Sequence, residues 1–314
     1  MKEICIIGGG EGGINLIKQL RSVDKEVKIR LIERGDYYFR RRDLFKWWAG
    51  LVKMDIFKLK EFAQTLNFDF LRAKVERINF NKRRIYLKEG ESIDFDTLVI
   101  CSGVKSKDLS IKGDFREGFF YLSEVDPIVI RDYLKLFNDI LIYCSTILGV
   151  KLAFYLSYLK KDIKFVAKNL GFLSQYKDSI LNKLLERKID IYLNSTIEEV
   201  IGEATVKATR ISLPKVFSSQ LVFVDSSFLP NRDYLEIELV TDKFFFTDYP
   251  GVYLLGDVNN PYIEKEYFFA FNTDNVEKQA QLLAKYLVRN ETIDYQLPLL
   301  ANDNYLEEFL KSLN

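Results

Sequence analysis

The apolar positions of the chain fall into short blocks with two periods. Ile4-Cys5-Ile6-Ile7 is apolar throughout, the pattern of a strand covered on both faces. After a glycine-rich stretch, Ile14, Leu16, Ile17 and Leu20 recur at the spacing of one helix face, and Val27 to Ile32 then alternates apolar with charged residues as a second strand. Asp55 is placed to cap a helix running to about Leu66, and short alternating runs from Phe68 to Ile93, around a Lys88-Glu89-Gly90-Glu91 turn, predict a small antiparallel sheet. Asp94 to Gly103 is a buried strand ending in small residues. Ile140 to Tyr143 and Phe165 to Lys168 are further strand signals, and Leu148 to Leu159 is a helix signal. Val276, Ala280, Leu283, Ala284 and Leu287 mark a last long helix. Beyond a Pro298-containing linker, Tyr305 to Leu313 is a short amphipathic segment whose mixed Glu and Lys face suits protein better than membrane.

The turn after the first strand places Gly8, Gly10 and Gly13 in G-x-G-x-x-G spacing between a strand and a helix. Gly8 permits the tight turn, Gly10 lets backbone N–H groups approach a pyrophosphate, and Gly13 lets the helix pack on the strand with its positive end toward the phosphates. Such turns also serve as plain connectors, and the second strand separates the two uses. It delivers Glu33 about twenty residues beyond Gly13, where a carboxylate accepts hydrogen bonds from an adenosine ribose. A solvated strand-end charge is the plain alternative for Glu33; glycines, strands and spacing together favour the ribose.

Composition narrows the chemistry. The 314 residues are 48% hydrophobic and 29% charged with a net charge of +1, which fits a soluble enzyme of two or three domain-sized parts rather than a nucleic-acid binder. The N-terminus enters a strand at once and the apolar runs are strand-sized, so no signal peptide or transmembrane helix is expected, and the expected location is cytoplasmic. The chain has no histidine, which excludes Ser-His-Asp and Cys-His catalysis and His-ligated metals. Cys5, Cys101 and Cys144 lie far apart in apolar segments, with no C-x-x-C or C-x4-C pair for a redox dithiol or a metal, and read as core residues of a reducing compartment. Arg34 to Gly50 interleaves four arginines with aromatics. Such a patch can serve a membrane or nucleic acid, but its place just after the glycine turn favours cofactor phosphates.

Asp94-Phe95-Asp96-Thr97-Leu98-Val99-Ile100-Cys101-Ser102-Gly103 resembles the D-x-L-V-I-A-T-G strand of the pyridine nucleotide-disulphide oxidoreductase superfamily, flavoproteins that bind two dinucleotides. Thr247 to Asp257 is similar to that superfamily's T-x-x-P-G-V-Y-A-x-G-D, Leu221 to Asn231 to its V-V-x-x-G-x-x-P-N return strand, and Gly149-Val150-Lys151-Leu152-Ala153 to its G-x-E-L-A helix. The resemblance covers nearly the whole chain. It implies an α/β protein with a Rossmann-like FAD domain (1–104 and 236–314) and an inserted second Rossmann-like, nicotinamide-type domain (105–235). It also implies that Cys101, Ser102 and Gly103 close over FAD and that Gly256 and Asp257 meet its ribityl chain. Arg41-x-x-Leu44-x-Lys46 resembles the R-P-P-L-S-K segment of ferredoxin and rubredoxin reductases, without the prolines. That puts Arg41, with Arg34, near the pyrophosphate and Lys46 near the flavin as the catalytic candidate; Arg40 or Arg42 can fill the place given to Arg41.

The second glycine loop departs from the pattern. Cys144 and Thr146 stand where its first two glycines belong and only Gly149 remains, so a nicotinamide cofactor is expected to bind less well or in an altered pose. The superfamily's Glu beside flavin and nicotinamide is Lys151 here, a like charge for Lys46. The ribose-binding Glu of NADH enzymes aligns with Ala167, followed by Lys168, so NADPH is the better fit if a nicotinamide binds, although Lys168 is equally readable as a surface lysine. The function implied is an FAD-dependent oxidoreductase of NAD(P)H:acceptor type, with no protein dithiol and a redox protein or small molecule as acceptor. A flavoprotein with a vestigial nicotinamide site, fed by another donor, and a non-catalytic FAD-binding subunit are the alternatives.

Overall fold

A computed structural model of the chain describes residues 3–237, 239, 246–259, 273–292 and 310–311. The apolar N-terminal run forms β1 (Glu3–Ile7), and the glycine turn leads into α1 (Glu11–Val23), whose Ile14, Leu16, Ile17 and Leu20 are wholly buried. β2 (Lys28–Glu33) pairs parallel with β1. A two-stranded ladder of β3 (Tyr37–Phe39) and β4 (Ile56–Lys58) brackets the short helix α2 (Leu44–Trp48). The helix expected from Asp55 starts later, as α3 (Leu59–Leu66), because the ladder with β3 takes the backbone of Ile56 to Lys58; α3 has no side-chain N-cap and ends at Asn67 in the left-handed region. β5 (Asp69–Arg72) joins the edge of β2 in parallel instead of the antiparallel sheet, as a chain returning from a crossover helix does. Only β6 (Val75–Asn79), β7 (Arg84–Leu87) and β8 (Ser92–Asp94) form the antiparallel ladder. β9 (Thr97–Ile100), buried at every position, pairs parallel with the other edge of β1.

The chain then leaves through β10 (Val104–Ser106) and builds a second unit. Its elements are β11 (Phe119–Tyr121), α4 (Pro127–Leu136), β12 (Asp139–Cys144), α5 (Ile147–Leu156), β13 (Asp162–Ala167), α6 (Lys177–Glu186) and β14 (Asp190–Leu193). An antiparallel ladder of β15 (Ile197–Ile201), β16 (Ala208–Ile211) and β17 (Lys215–Ser218) precedes β18 (Leu221–Asp225). The chain returns through β19 (Phe228–Pro230), antiparallel to β10, and then adds β20 (Val252–Leu254) beside β9. It is followed by α7 (Thr273–Arg289), which packs along α1 and buries Ala280, Leu283 and Ala284.

Among the described residues two parallel five-stranded sheets result, ordered β20-β9-β1-β2-β5 and β11-β18-β12-β13-β14. This is a pair of Rossmann-like α/β units. In the first sheet β2 and β9 leave β1 on opposite sides, so a crevice opens beyond the carboxyl ends of these strands, where such sheets bind ligands. The second unit has a helix, α5, whose residues are all buried except Lys151. A helix apolar all round needs cover on every side. Its own sheet supplies one face, and α2 of the first unit, with Leu44, Trp47 and Trp48, shares its core. The Trp48 indole donates to the Pro127 carbonyl at 3.0 Å and lies 6.1 Å from the Phe223 ring. The aromatic half of the segment read as a phosphate site is thus packing between units. Of the expected C-terminal segment Tyr305 to Leu313, only residues 310–311 are described, with Leu310 against the same core; the rest and the Pro298 linker lie outside the described residues. No helix among the described residues is long and apolar enough to cross a membrane.

Candidate functional site

A cavity of about 1000 Å³ occupies the crevice of the first sheet. Gly8 lines it with φ +107°, and a Cβ there would stand 2.4 Å from the Cys101 carbonyl oxygen, so only glycine makes this turn. Gly13 lies behind it; a Cβ would stand 2.0 Å from the Gly8 oxygen, which is the close helix-strand packing expected. Gly10 differs from both. It lines the cavity in an extended conformation, and a Cβ there would meet nothing within 4 Å, so its bareness relieves no clash inside the chain and keeps the approach to the α1 N-terminus open.

Charged groups converge on this approach. Glu33 Oε2 accepts from the Gly9 N–H at 2.7 Å and Oε1 from the Gly35 N–H at 2.8 Å. Each oxygen keeps a second lone pair for a ligand hydroxyl. Of the three adjacent arginines only Arg41 lines the cavity, while Arg40 and Arg42 are exposed. Its guanidinium donates to the Ser123 carbonyl at 3.3 Å. Burial pushes it below the usual arginine range, and the carboxylates of Glu33 and Asp257 push it back. Arg34 lines the same space with an exposed side chain. Opposite, Gly256 (φ +80°) donates to Gln279 Oε1 at 3.0 Å and begins the turn that carries Asp257 into the cavity wall. Cys101, Ser102 and Gly103 close another side. The Ser102 hydroxyl donates to the Asn231 carbonyl at 2.7 Å and accepts from the Tyr234 hydroxyl at 2.8 Å, fastening the outgoing chain to the returning one. Burial raises the Cys101 thiol far above its ordinary range.

Sequence reasoning missed Glu11, in the first turn of α1. Burial raises its carboxyl above the ordinary range; the Tyr38 hydroxyl donates to Oε2 at 3.3 Å, and the buried Oε1 has no hydrogen-bond partner. An orphaned buried oxygen beside a bare helix N-terminus suits a site that a polar ligand completes. The signal available was an acid inside the glycine motif itself. These residues fit FAD: a bare Gly10 for the pyrophosphate, Glu33 for the adenosine ribose and Asp257 across the cavity.

Lys46 is not among the residues lining this cavity. It sits on α2 with Nζ 5.7 Å from the Tyr155 ring of α5. It is near Lys151, whose ammonium is pushed down to about 8 by burial first and by the Lys46 charge second. The two ammonium groups thus repel each other across the α2–α5 contact.

The second loop is built differently. Thr146 caps α5, its Oγ1 accepting from the Leu148 N–H at 3.2 Å. The N–H groups of Thr146 and Gly149 both donate to Asp225 Oδ2, at 2.8 and 2.9 Å, and the Thr146 hydroxyl donates to Oδ1 at 2.8 Å. A Cβ on Gly149 would stand 2.8 Å from Asp225 Oδ2 and 2.9 Å from Cys144, so Gly149 is a packing glycine as expected. Asp225 is wholly buried at the end of β18, and burial raises its carboxyl to about 6 against these hydrogen bonds. It too was missed, although an acid ending the apolar run Leu221 to Val224 is a readable signal. Ala167 is buried at the end of β13 and Lys168 beyond it is exposed. As folded, the Thr146 and Gly149 amides of this loop are both held by Asp225.

A doubly wound fold with a glycine-turn cavity at the switch point of its first sheet, flanked by Glu33 and Asp257, has the architecture of the FAD-binding α/β oxidoreductases. The chain belongs to the pyridine nucleotide-disulphide oxidoreductase family, whose model matches residues 2–280. Its members and relatives are FAD-binding oxidoreductases that use NAD(P)H. Human apoptosis-inducing factor 3 is 22% identical over 274 residues, covering 81% of this chain and 45% of that protein. The ferredoxin–NAD(+) reductase component of the p-cumate 2,3-dioxygenase system of Pseudomonas putida is 22% identical over 319 residues, covering 95% of this chain and 78% of that one. The structure of an NAD-dependent persulfide reductase from A. fulgidus matches with a TM-score of 0.81 at 17% identity, over 94% of this chain and 60% of that chain, a likeness of fold. This chain thus spans less than half of the human relative's length.

Proposed function

We propose that this protein is an FAD-dependent oxidoreductase that passes reducing equivalents through the flavin to a separate acceptor, with no protein dithiol in the path. The observation that carries this reading is the cavity of the first sheet, where Gly10 leaves the α1 N-terminus bare between Glu33, Arg41 and Asp257. The residues divide as 1–104 and 236–314 for the flavin unit and 105–235 for the inserted one. When bound, FAD supplies the electron and hydride chemistry. The chain does the rest. The α1 amides and Arg41 hold the pyrophosphate, Glu33 accepts from the adenosine ribose, and Asp257 accepts from the ribityl hydroxyls. Cys101, Ser102 and Gly103 wall the flavin side. The three cysteines are buried and unpaired with one another, and burial raises all three thiols, so none supplies a thiolate. The likeness to a ferredoxin reductase component favours a redox protein as acceptor.

The purified protein is expected to be yellow and to release FAD, not FMN, on denaturation. Gly10→Val should keep the thermal stability of the flavin-free protein, since a Cβ there has no protein atom within 4 Å, yet lose FAD retention. Colourless protein that takes up no FAD would sink this reading.

A further inference from the structure

We propose that Asp225 is the residue that sets nicotinamide affinity in this chain, its carboxylate standing at the N-terminus of α5 where the pyrophosphate of a second dinucleotide would otherwise bind. The inference deepens the proposed function and rests on it for the identity of the first ligand only. Asp225 ends β18, the neighbour of β12, and pairs in register with Cys144, so its side chain emerges directly beneath the turn that follows β12. There it collects two N–H groups and one hydroxyl, from Thr146 and Gly149. Its own carbonyl accepts from the Ser145 N–H at 2.9 Å, which ties the strand end to the loop from a fourth point. These are the donors that a helix N-terminus turns toward an anion, and here the anion belongs to the chain.

Two features make the arrangement hard to displace. The carboxylate is wholly buried, so moving it aside would leave the Thr146 and Gly149 amides without an acceptor. The Cys144 and Thr146 side chains also fill the places of two glycines, and Cys144 Sγ sits 3.1 Å from the Thr146 carbonyl oxygen. A pyrophosphate entering this loop would meet a like charge in a site shielded from water. The second unit therefore keeps the shape of a nucleotide domain with its anion site already satisfied.

The test uses redox-inert nucleotides, ADP-ribose and its 2′-phosphate, titrated by calorimetry into the FAD-loaded full chain. The wild type should show no binding below millimolar concentration. Asp225→Ala should bind at least tenfold more tightly, and Asp225→Asn, which keeps the shape and one acceptor but not the charge, should gain several-fold. Unchanged affinity in both variants, at full FAD content and with a cooperative melting transition, overturns the proposal, as does micromolar binding by the wild type. If neither variant folds, the wild-type titration decides alone. In a Gly10→Val background the first cavity is blocked, so a gain on adding Asp225→Ala belongs to the second loop even if the first ligand is not FAD.

Discussion

Glu33 and Lys151 show how far single residues could be read. The sequence placed Glu33 by its distance from Gly13, and the structure shows it gripping the Gly9 and Gly35 amides. It orders the turn as well as lining the cavity, a double duty that no spacing rule contains. For Lys151 the sequence supplied a like-charge neighbour, and the fold supplied the burial that makes this costly. Its ammonium is held at about 8 against an ordinary 10.5, so between those pH values the unfolded chain binds more protons than the folded one. The stability this group contributes is thus present above pH 10.5 and is lost as pH falls through 8. At pH 7 the penalty is at most about 3 kcal/mol. Lys151→Met is expected to raise the melting temperature at pH 7, with the gain shrinking toward zero above pH 10.5. A gain that does not depend on pH would show that charge burial is not the cause.

At the scale of elements, long and strongly patterned segments were legible. β1, α1, β9, β12 and α7 lie where the apolar periods put them, because each keeps one burial pattern, continuous in the strands and one-faced in the helices, across its described residues. Short elements escaped. Asp55 looked like a helix cap, but the partner that claims the next three residues is β3, nearly twenty positions away. Likewise β5 is a parallel edge strand because α3 hands it to β2, a relation invisible in its own four residues. The helix α2 is the clearest case. Trp48 is 3% exposed and its indole is bonded to the Pro127 carbonyl in the other unit. Trp48→Ala should cost about 3–5 kcal/mol of stability, the range for emptying a large aromatic site, while the folded protein at low temperature still takes up FAD. A loss below about 1 kcal/mol in denaturant melts would show that α2 does not join the units in the way its packing indicates.

For the whole molecule the remaining question is the source of electrons. On the proposed reading Asp225, Cys144 and Thr146 stand against a nicotinamide in the second unit, while an exposed Lys168 beside Ala167 would favour a 2′-phosphate over a bare ribose by about 1.5–3 kcal/mol if one charged hydrogen bond formed. Anaerobic titration of the FAD-loaded protein should therefore show slow or weak flavin bleaching, with NADPH ahead of NADH. Rapid bleaching by micromolar NADH would refute this order. By itself the sequence determined the α/β class, the FAD-type first loop, the absence of histidine and dithiol chemistry, and the degeneracy of the second loop. Each of these depends on local spacing or on residue type, which a chain carries before it folds. Only the tertiary structure decided that Asp225 fills the second anion site, that Glu11 faces the first with an unpartnered oxygen, that Arg41 rather than its neighbours enters the cavity, and that the tryptophans of α2 belong to the other unit's core. Those outcomes depend on contacts between residues about 30 to 180 positions apart, which the packing of two sheets brings within 3 to 6 Å and which no local pattern encodes.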